Sequence, residues 1–160
     1  CALPISRIRY PLPPRRAMRL APVLVSSVAS APEADLVTSL PGFPGGWDFK
    51  AYSGFLDVPG PVATYDALRI HYQFHTSRRA PARDPVVAWQ QGGPGSSSIT
   101  TGLYGEMGAF IVGETSNYIN PWSWNRVANM LYLEAPAGSG HESGYSQCLR
   151  GGEIAKCQWD

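Results

Sequence analysis

Residues 84–98 read Asp-Pro-Val-Val-Ala-Trp-Gln-Gln-Gly-Gly-Pro-Gly-Ser-Ser-Ser, and this stretch decides the fold. Its first half, residues 85–91, does not alternate between apolar and polar side chains, which is typical of a buried central strand. The glycines and the proline that follow cannot continue regular structure. Residues 96–107 then predict a helix, with Ser96 or Ser97 as its N-cap. The stretch therefore predicts a strand, a glycine-rich turn and a helix.

Three further strands are predicted on either side of this stretch. Residues 52–58 form a short apolar run that ends at the turn signal Pro59-Gly60-Pro61. Residues 67–75 alternate between an apolar face and a polar face, and the polar face carries Arg69, His71, Gln73 and His75. We therefore expect a half-exposed strand, antiparallel to the first, with both histidines at the surface. Residues 128–135 predict a second buried strand, so the order hairpin, strand, helix, strand indicates a mixed α/β sheet.

Charge and composition narrow the class of protein. The 160 residues carry a net charge of +1, and Gly 17 with Pro 15 make up a fifth of the chain. This balance argues against a nucleic-acid-binding protein, which would carry a basic excess. The apolar run at residues 20–25 is much shorter than the 18 or more residues of a membrane span. We expect one globular domain, or part of one.

The first 32 residues differ from the rest in charge. They contain five arginines and no acidic residue, whereas all 12 Asp and Glu lie at Glu33 or later. Met18 and Arg19 precede an apolar run and the small residues Ala29-Ser30-Ala31, a pattern typical of a secretory signal peptide. We expect residues 1–17 to be a leader or an untranslated tail, residues 18–31 to be a signal peptide, and residues 33–160 to be the folded part. An organelle transit peptide is the alternative.

The glycine-rich turn is the main candidate for chemistry. A glycine loop between a buried strand and a helix N-terminus presents free backbone N–H groups, which can bind a phosphate or form an oxyanion hole. The dinucleotide fingerprint requires the glycine spacing G-x-G-x-x-G, and the phosphate loop requires G-x-x-x-x-G-K-[ST]. This loop has neither spacing, and it has no lysine. An oxyanion hole therefore fits better, and a plain strand-to-helix turn is the simpler alternative.

Six motifs in family order resemble the serine carboxypeptidase family (peptidase family S10). Residues 84–98 resemble the family pattern D-P-[VL]-[VI]-L-W-L-N-G-G-P-G-C-S-S. The other five lie at residues 35–42, 52–58, 102–108, 120–129 and 133–140. The resemblance implies the N-terminal part of an α/β-hydrolase fold, with a mixed, mostly parallel sheet that is incomplete in this chain. It also implies a protein that removes C-terminal residues from peptides, secreted or held in a vacuole-like or lysosome-like lumen, without a cofactor.

The resemblance also implies roles for five residues. Gly93 would donate one oxyanion-hole N–H. The Gln91 amide and the Gly92 N–H would bind the terminal carboxylate of the substrate, and Glu106 matches a glutamate that helps form this acid-sensitive site. Trp89 would support the loop. The expected partners are therefore peptide or protein C-termini.

Several positions depart from the family pattern. Gln91 stands where the family has Asn, so the amide is displaced by roughly one C–C bond in a site that needs positions within about 0.5 Å. Ser96 stands where the family has Cys. The 160 residues contain no G-x-S-x-G. The resemblance implies that the Ser, Asp and His of the catalytic triad lie beyond residue 160. Two alternatives therefore stay open: a serine-carboxypeptidase-like acyltransferase, and an inactive truncated relative.

The cysteines are Cys1, Cys148 and Cys157. The last two lie nine residues apart across a Gly-Gly turn, a loop that a disulfide can close in an oxidising compartment. Two free thiols are the alternative. The sequence has no CxxC, HExxH or His/Cys cluster, so it predicts no metal site.

Overall fold

The computed structural model describes residues 31–43, 46–93, 95–140 and 144–158. The predicted leader, residues 1–17, and all but the last residue of the predicted signal peptide, residues 18–31, lie outside the described residues. The elements follow in the order 3-10 turn Glu33–Asp35, β1 Leu36–Val37, β2 Ala51–Val62, β3 Tyr65–His75, β4 Val86–Trp89, π-helix Ser98–Glu106, β5 Phe110–Val112, β6 Asn117–Ile119, 3-10 turn Trp124–Arg126, β7 Asn129–Leu133, β8 Gln147–Arg150 and β9 Glu153–Ala155.

Seven of these strands form one mixed sheet. Its main path runs β1-β2-β3-β7-β4, while β8 pairs with β3 and β9 pairs with β8; β5 and β6 form a separate hairpin. The predicted α/β class and the mixed sheet are confirmed. Within the described residues, parallel pairing is confined to β4 and β7, and the other pairs of this sheet are antiparallel. The expectation of a mostly parallel sheet is therefore wrong for this part of the chain.

The hairpin of β2 and β3 is longer than predicted. Ala51 pairs with His75 at one end, and Val62 pairs with Tyr65 at the other, so the chain reverses at residues 63–64. The turn predicted at Pro59-Gly60-Pro61 is wrong, because these residues remain within the strand. The ladder accommodates them by a register shift between Pro59 and Val62, as a β-bulge does.

The polar face of β3 is covered at His71, Gln73 and His75. His71 is 9% exposed and His75 is 0% exposed, so the predicted surface position of both histidines is wrong. The π-helix and the β5 segment pack on this face: Gln73 Nε2 donates to the Tyr104 hydroxyl, and the His75 ring lies against the Phe110 ring. Alternation along β3 indicates two different faces, but here both are packed.

The two strands predicted to be buried differ in their surroundings. β7 lies between β3 and β4, and Met130 and Tyr132 are fully buried, as predicted. β4 pairs only with β7 in the described part of the chain, and Val86 is 54% exposed. The prediction of a buried central strand is therefore wrong for β4 as it stands here, because one of its two edges has no described neighbour.

The π-helix packs on this sheet and so places its N-terminus at the end of β4. Its buried side chains form a cluster with β7 whose members are Ile99, Leu103, Met107, Ala128, Met130 and Tyr132. Trp89 and Tyr104 pack against the same cluster. The apolar contacts therefore fix the helix relative to the strand that precedes the glycine-rich turn.

Candidate active site

The glycine loop, residues 92–97, connects β4 to the π-helix. Gly92 and Gly93 are exposed, so their backbone can meet a ligand. Gly93 has φ +113, and a Cβ at this position would lie 2.7 Å from Ser96 Oγ. A side chain at this residue would therefore be both strained and crowded. The loop needs glycine here and leaves the backbone open to a ligand.

Hydrogen bonds hold the loop at its base and near its tip. The Gln91 N–H donates to Ser98 Oγ at 3.0 Å, which bridges the two ends of the loop. The Gly140 N–H donates to the Gly95 carbonyl oxygen at 2.7 Å. The loop is thus fastened both to itself and to the segment that follows β7.

Ser97 caps the π-helix, as predicted. Its hydroxyl oxygen accepts the N–H of Ile99 at 3.2 Å and the N–H of Thr100 at 2.9 Å. A side-chain cap of this kind satisfies amides that have no partner within the helix. The beginning of the helix, and with it the end of the loop, is therefore well defined.

Three side chains form a hydrogen-bonded line beside the loop. The Trp89 indole Nε1–H donates to Gln91 Oε1 at 2.9 Å, and Gln91 Nε2 donates to Glu106 Oε1 at 3.3 Å. The π-helix passes close to this line at Gly102, where a Cβ would lie 2.7 Å from Trp89 Nε1. Trp89 is also held by an edge-to-face contact with Trp124, with ring centroids 5.5 Å apart.

This line fixes which way the Gln91 amide faces. Because Trp89 can only donate, the amide oxygen must point to the indole and the amide NH₂ must point away from it. The NH₂ group meets the exposed Glu106 carboxylate. A donor and a carboxylate thus lie at the end of the loop, accessible to solvent.

Comparisons with known proteins agree on one family. The sequence model of the serine carboxypeptidase family matches residues 41–148. The chain belongs to the serine carboxypeptidase family. Among its relatives, serine carboxypeptidase ctsa-3.1 of Caenorhabditis elegans is 43% identical over 121 residues, which are 74% of this chain and 20% of that protein. The lysosomal protective protein of Mus musculus is 42% identical over 114 residues, 69% of this chain and 22% of that protein.

The likeness extends to plant and structural relatives of the family. Serine carboxypeptidase-like 35 of Arabidopsis thaliana is 44% identical over 110 residues, 68% of this chain and 22% of that protein. The crystal structure of Kex1(delta)p, a prohormone-processing carboxypeptidase from Saccharomyces cerevisiae, matches with a TM-score of 0.48 at 25% identity, over 67% of this chain and 23% of that one. The chain thus spans between a fifth and about a quarter of the length of these relatives.

All five site residues expected from the family resemblance lie at one end of β4. Gln91 is hydrogen-bonded to both Trp89 and Glu106, and Gly92 and Gly93 follow Gln91 directly. The contact between Gln91 and Glu106 joins residues 15 apart in sequence, across the loop and the π-helix.

One buried residue near the glycine loop was not predicted from the sequence. Glu134 follows β7 and is 0% exposed, and its Oε2 accepts the Ile99 N–H at 3.2 Å. A signal was present: an acidic residue ends an apolar strand, and buried acidic residues are uncommon unless paired. In the sequence, Glu134 stands out only as part of the motif at residues 133–140.

The predicted disulfide lies away from the glycine loop. Cys148 and Cys157 form a disulfide that joins β8 to the chain after β9, with their Cα atoms 5.4 Å apart. Among the described residues, no three His, Cys, Asp or Glu side chains are grouped as metal ligands. No helix in this part of the chain is long and apolar enough to cross a membrane.

Proposed function

We propose that the complete protein containing this chain is a serine carboxypeptidase, and that this chain supplies one oxyanion donor and the site for the substrate's terminal carboxylate. The observation that carries the proposal is the side-chain line Trp89–Gln91–Glu106 beside the open backbone of Gly92 and Gly93. A protein that only needed a turn between strand and helix would gain nothing from an oriented amide and an exposed carboxylate there.

The Gly93 N–H would stabilise the negative charge of the tetrahedral intermediate. An oxyanion donor acts best when its position is fixed before the reaction, and the loss of one such donor costs roughly 2.7–4 kcal/mol of transition-state stabilisation. The bond from Gln91 N–H to Ser98 Oγ and the bond from Gly140 N–H to the Gly95 carbonyl support this role, because they restrain the loop on both sides of Gly93.

The Gln91 NH₂ group and the Gly92 N–H would bind the free carboxylate of a peptide C-terminus. Both are neutral donors, so they can bind an anion without a buried cation. Glu106 couples this site to pH, since a charged carboxylate can only accept hydrogen bonds, whereas a protonated one can also donate. We therefore expect carboxylate recognition to be strongest in acid.

Gln91 can fill this role although the family has Asn. Its longer side chain reaches both the Trp89 indole and the Glu106 carboxylate, so the amide is oriented at both of its atoms. The extra methylene would move the donor relative to an Asn, and this predicts a changed preference for the last residue of the substrate rather than a lost site.

The location of the protein is part of the same proposal. The name of the mouse relative places that protein in the lysosome. An acidic lumen would suit a site whose carboxylate recognition is strongest in acid, and the disulfide between Cys148 and Cys157 suits an oxidising one. We propose a secreted or lumenal protein that acts on peptide or protein C-termini.

Steady-state kinetics of the complete protein test the proposal. A blocked dipeptide with a free carboxylate is compared with its amidated analogue at pH 5 and pH 7. We expect hydrolysis of the acid only, with a KM that rises toward pH 7. Glu106→Gln should flatten this pH dependence, because its amide donates at every pH, and Gln91→Asn is the matched variant that restores the family residue.

Three outcomes would count against the proposal. Equal turnover of the acid and the amide would remove the carboxylate site. Transfer of an acyl group from a small ester, without peptide hydrolysis, would favour the acyltransferase alternative. A complete protein that binds the dipeptide but transforms neither substrate would be an inactive relative.

A further inference from the structure

Glu134 is a buried carboxylate that the proposed recognition site does not use. It lies directly after β7 and is fully buried. Its Oε2 accepts the Ile99 N–H at 3.2 Å, while Oε1 has no hydrogen-bond partner among the described residues. A buried polar atom that is left unpaired is destabilising. A carboxylate at this position therefore requires an explanation other than simple packing.

The backbone of Glu134 is fixed by its neighbours. Its N–H donates to the His71 carbonyl oxygen at 3.0 Å, which continues the pairing of β7 with β3. The Ser146 hydroxyl donates to the Glu134 carbonyl oxygen and accepts the His71 N–H at 2.9 Å. The side chain thus extends from a rigid point of the sheet toward the start of the π-helix.

We propose that Glu134 is a positioning residue that holds the glycine loop in its oxyanion-binding conformation; this inference rests on the function proposed above. The loop is anchored at three places: Gln91 to Ser98, Gly95 to Gly140, and the Ile99 N–H to Glu134. Two of these three contacts involve the segment after β7. In one of them Gly140 contributes its backbone N–H, and in the other Glu134 contributes its side chain.

The anchor at Ile99 is transmitted to the oxyanion donor through Ser98 and Gln91. Ile99 follows Ser98, whose hydroxyl accepts the Gln91 N–H and so closes the base of the loop. If Ile99 moves, Ser98 moves with it, and the Gly92 and Gly93 amides that follow Gln91 lose their fixed direction. The side-chain amide of Gln91 is held separately by Trp89. We therefore expect Glu134 to affect the transition state more than substrate binding.

The test uses the complete protein, three variants and two measurements. Glu134→Ala removes the acceptor that joins the Ile99 N–H to the segment after β7 and leaves Ser97 Oγ, within the loop itself, as the other acceptor of that amide. Glu134→Gln keeps the length of the side chain and an oxygen that can accept the Ile99 N–H. Asp84→Ala is the control, because Asp84 also accepts side-chain and backbone hydrogen bonds but precedes β4, at the other end of the strand from the loop. Steady-state kinetics give kcat and KM, and hydrogen exchange followed by mass spectrometry reports on the amides of residues 92–99.

We expect Glu134→Ala to lower kcat about 10- to 100-fold, since a misplacement of about 1 Å costs roughly that much. KM should change less than about threefold by the same reasoning, because the Gln91 side chain keeps its own anchor. Exchange of residues 92–99 should become faster. Glu134→Gln should restore most of kcat and of the protection, and Asp84→Ala should leave both unchanged although it lowers stability.

Either of two results would overturn the proposal: kcat and exchange in Glu134→Ala that match the wild type, or a loss that Glu134→Gln does not restore. If Glu134→Ala does not fold, Glu134→Asp replaces it, since the shorter carboxylate cannot reach Ile99 from a fixed backbone. A wild-type protein without peptidase activity would refute the proposed function but not this inference. The exchange measurement then decides alone, since unchanged protection in the variants overturns the positioning role.

Discussion

His75 predicts a loss of stability in acid. Its imidazole is fully buried in β3, against the rings of Phe49, Phe110 and Tyr132, with Nε2 3.4 Å from Gln73 Oε1. Burial among these groups lowers the pKa of His75 to about 3. Tyr132 is the titratable group among them, and because burial raises its pKa, it stays neutral throughout the acid range. The four side chains therefore offer a protonated His75 no compensating charge.

The size of the effect follows from the difference between the folded and the unfolded pKa. In the unfolded chain His75 takes up a proton near its ordinary pKa of about 6.5. Below that value the unfolded state binds a proton that the folded state excludes, so this contribution to stability is complete above about pH 6.5 and is lost as pH falls toward the folded pKa. Between pH 7 and pH 5 the free energy of unfolding should drop by about 2 kcal/mol through this residue.

Urea unfolding of the complete protein at pH 7, 6 and 5 measures this loss. His75→Phe keeps a ring among rings and removes the titration, so its stability relative to wild type should rise by about 2 kcal/mol from pH 7 to pH 5. Tyr132→Phe is the control, since it changes the same cluster without a group that titrates in acid. A difference between His75→Phe and wild type that stays constant across this pH range would refute the reasoning.

Three further predictions concern the loop, the disulfide and the sheet edge. Gly102→Ala places a Cβ against the Trp89 indole and should disrupt its hydrogen bond; KM for the substrate with a free carboxylate should rise about 10-fold in steady-state kinetics, and an unchanged KM would contradict this. Serine in place of both Cys148 and Cys157 should lower the free energy of unfolding in urea by about 2–3 kcal/mol, and an equal midpoint would count against it. Residues 33–160 alone should self-associate through the edge of β4 that has no neighbour among the described residues, whereas a monomeric, cooperative melt would show that this edge needs no neighbour.

Local patterns predicted the elements around the glycine loop well. The apolar run, the glycines and the serines of residues 85–98 depend on interactions within a few residues, and the structure has a strand, a loop and a helix capped by Ser97 there. The same kind of pattern failed for β3. Its alternation is real, but the packing of the π-helix and the β5 segment over its polar face comes from residues 30 or more positions away. Alternation cannot indicate whether such a cover exists.

The candidate site shows the same division between local and distant information. The glycines of the loop can be recognised from the sequence because their chemistry is local. The meeting of Gln91 with Glu106 was expected only from the family resemblance, since it depends on how the π-helix lies across the end of β4. Glu134 was missed because its partner, Ile99, lies 35 residues earlier in the chain. An acidic residue in an apolar run marks a buried contact but does not identify its partner.

Gln91 takes part in two tasks, and different neighbours hold the groups that perform them. Gln91 contributes its side-chain amide to carboxylate recognition, oriented by Trp89, and its main-chain N–H to the base of the loop, through Ser98. Glu134 acts only on the second of these, because its contact is with the start of the π-helix. A change at Trp89 should therefore alter substrate selection and leave the loop in place, whereas a change at Glu134 should do the reverse. Substitutions at Trp89 and at Glu134 would then separate substrate binding from transition-state stabilisation.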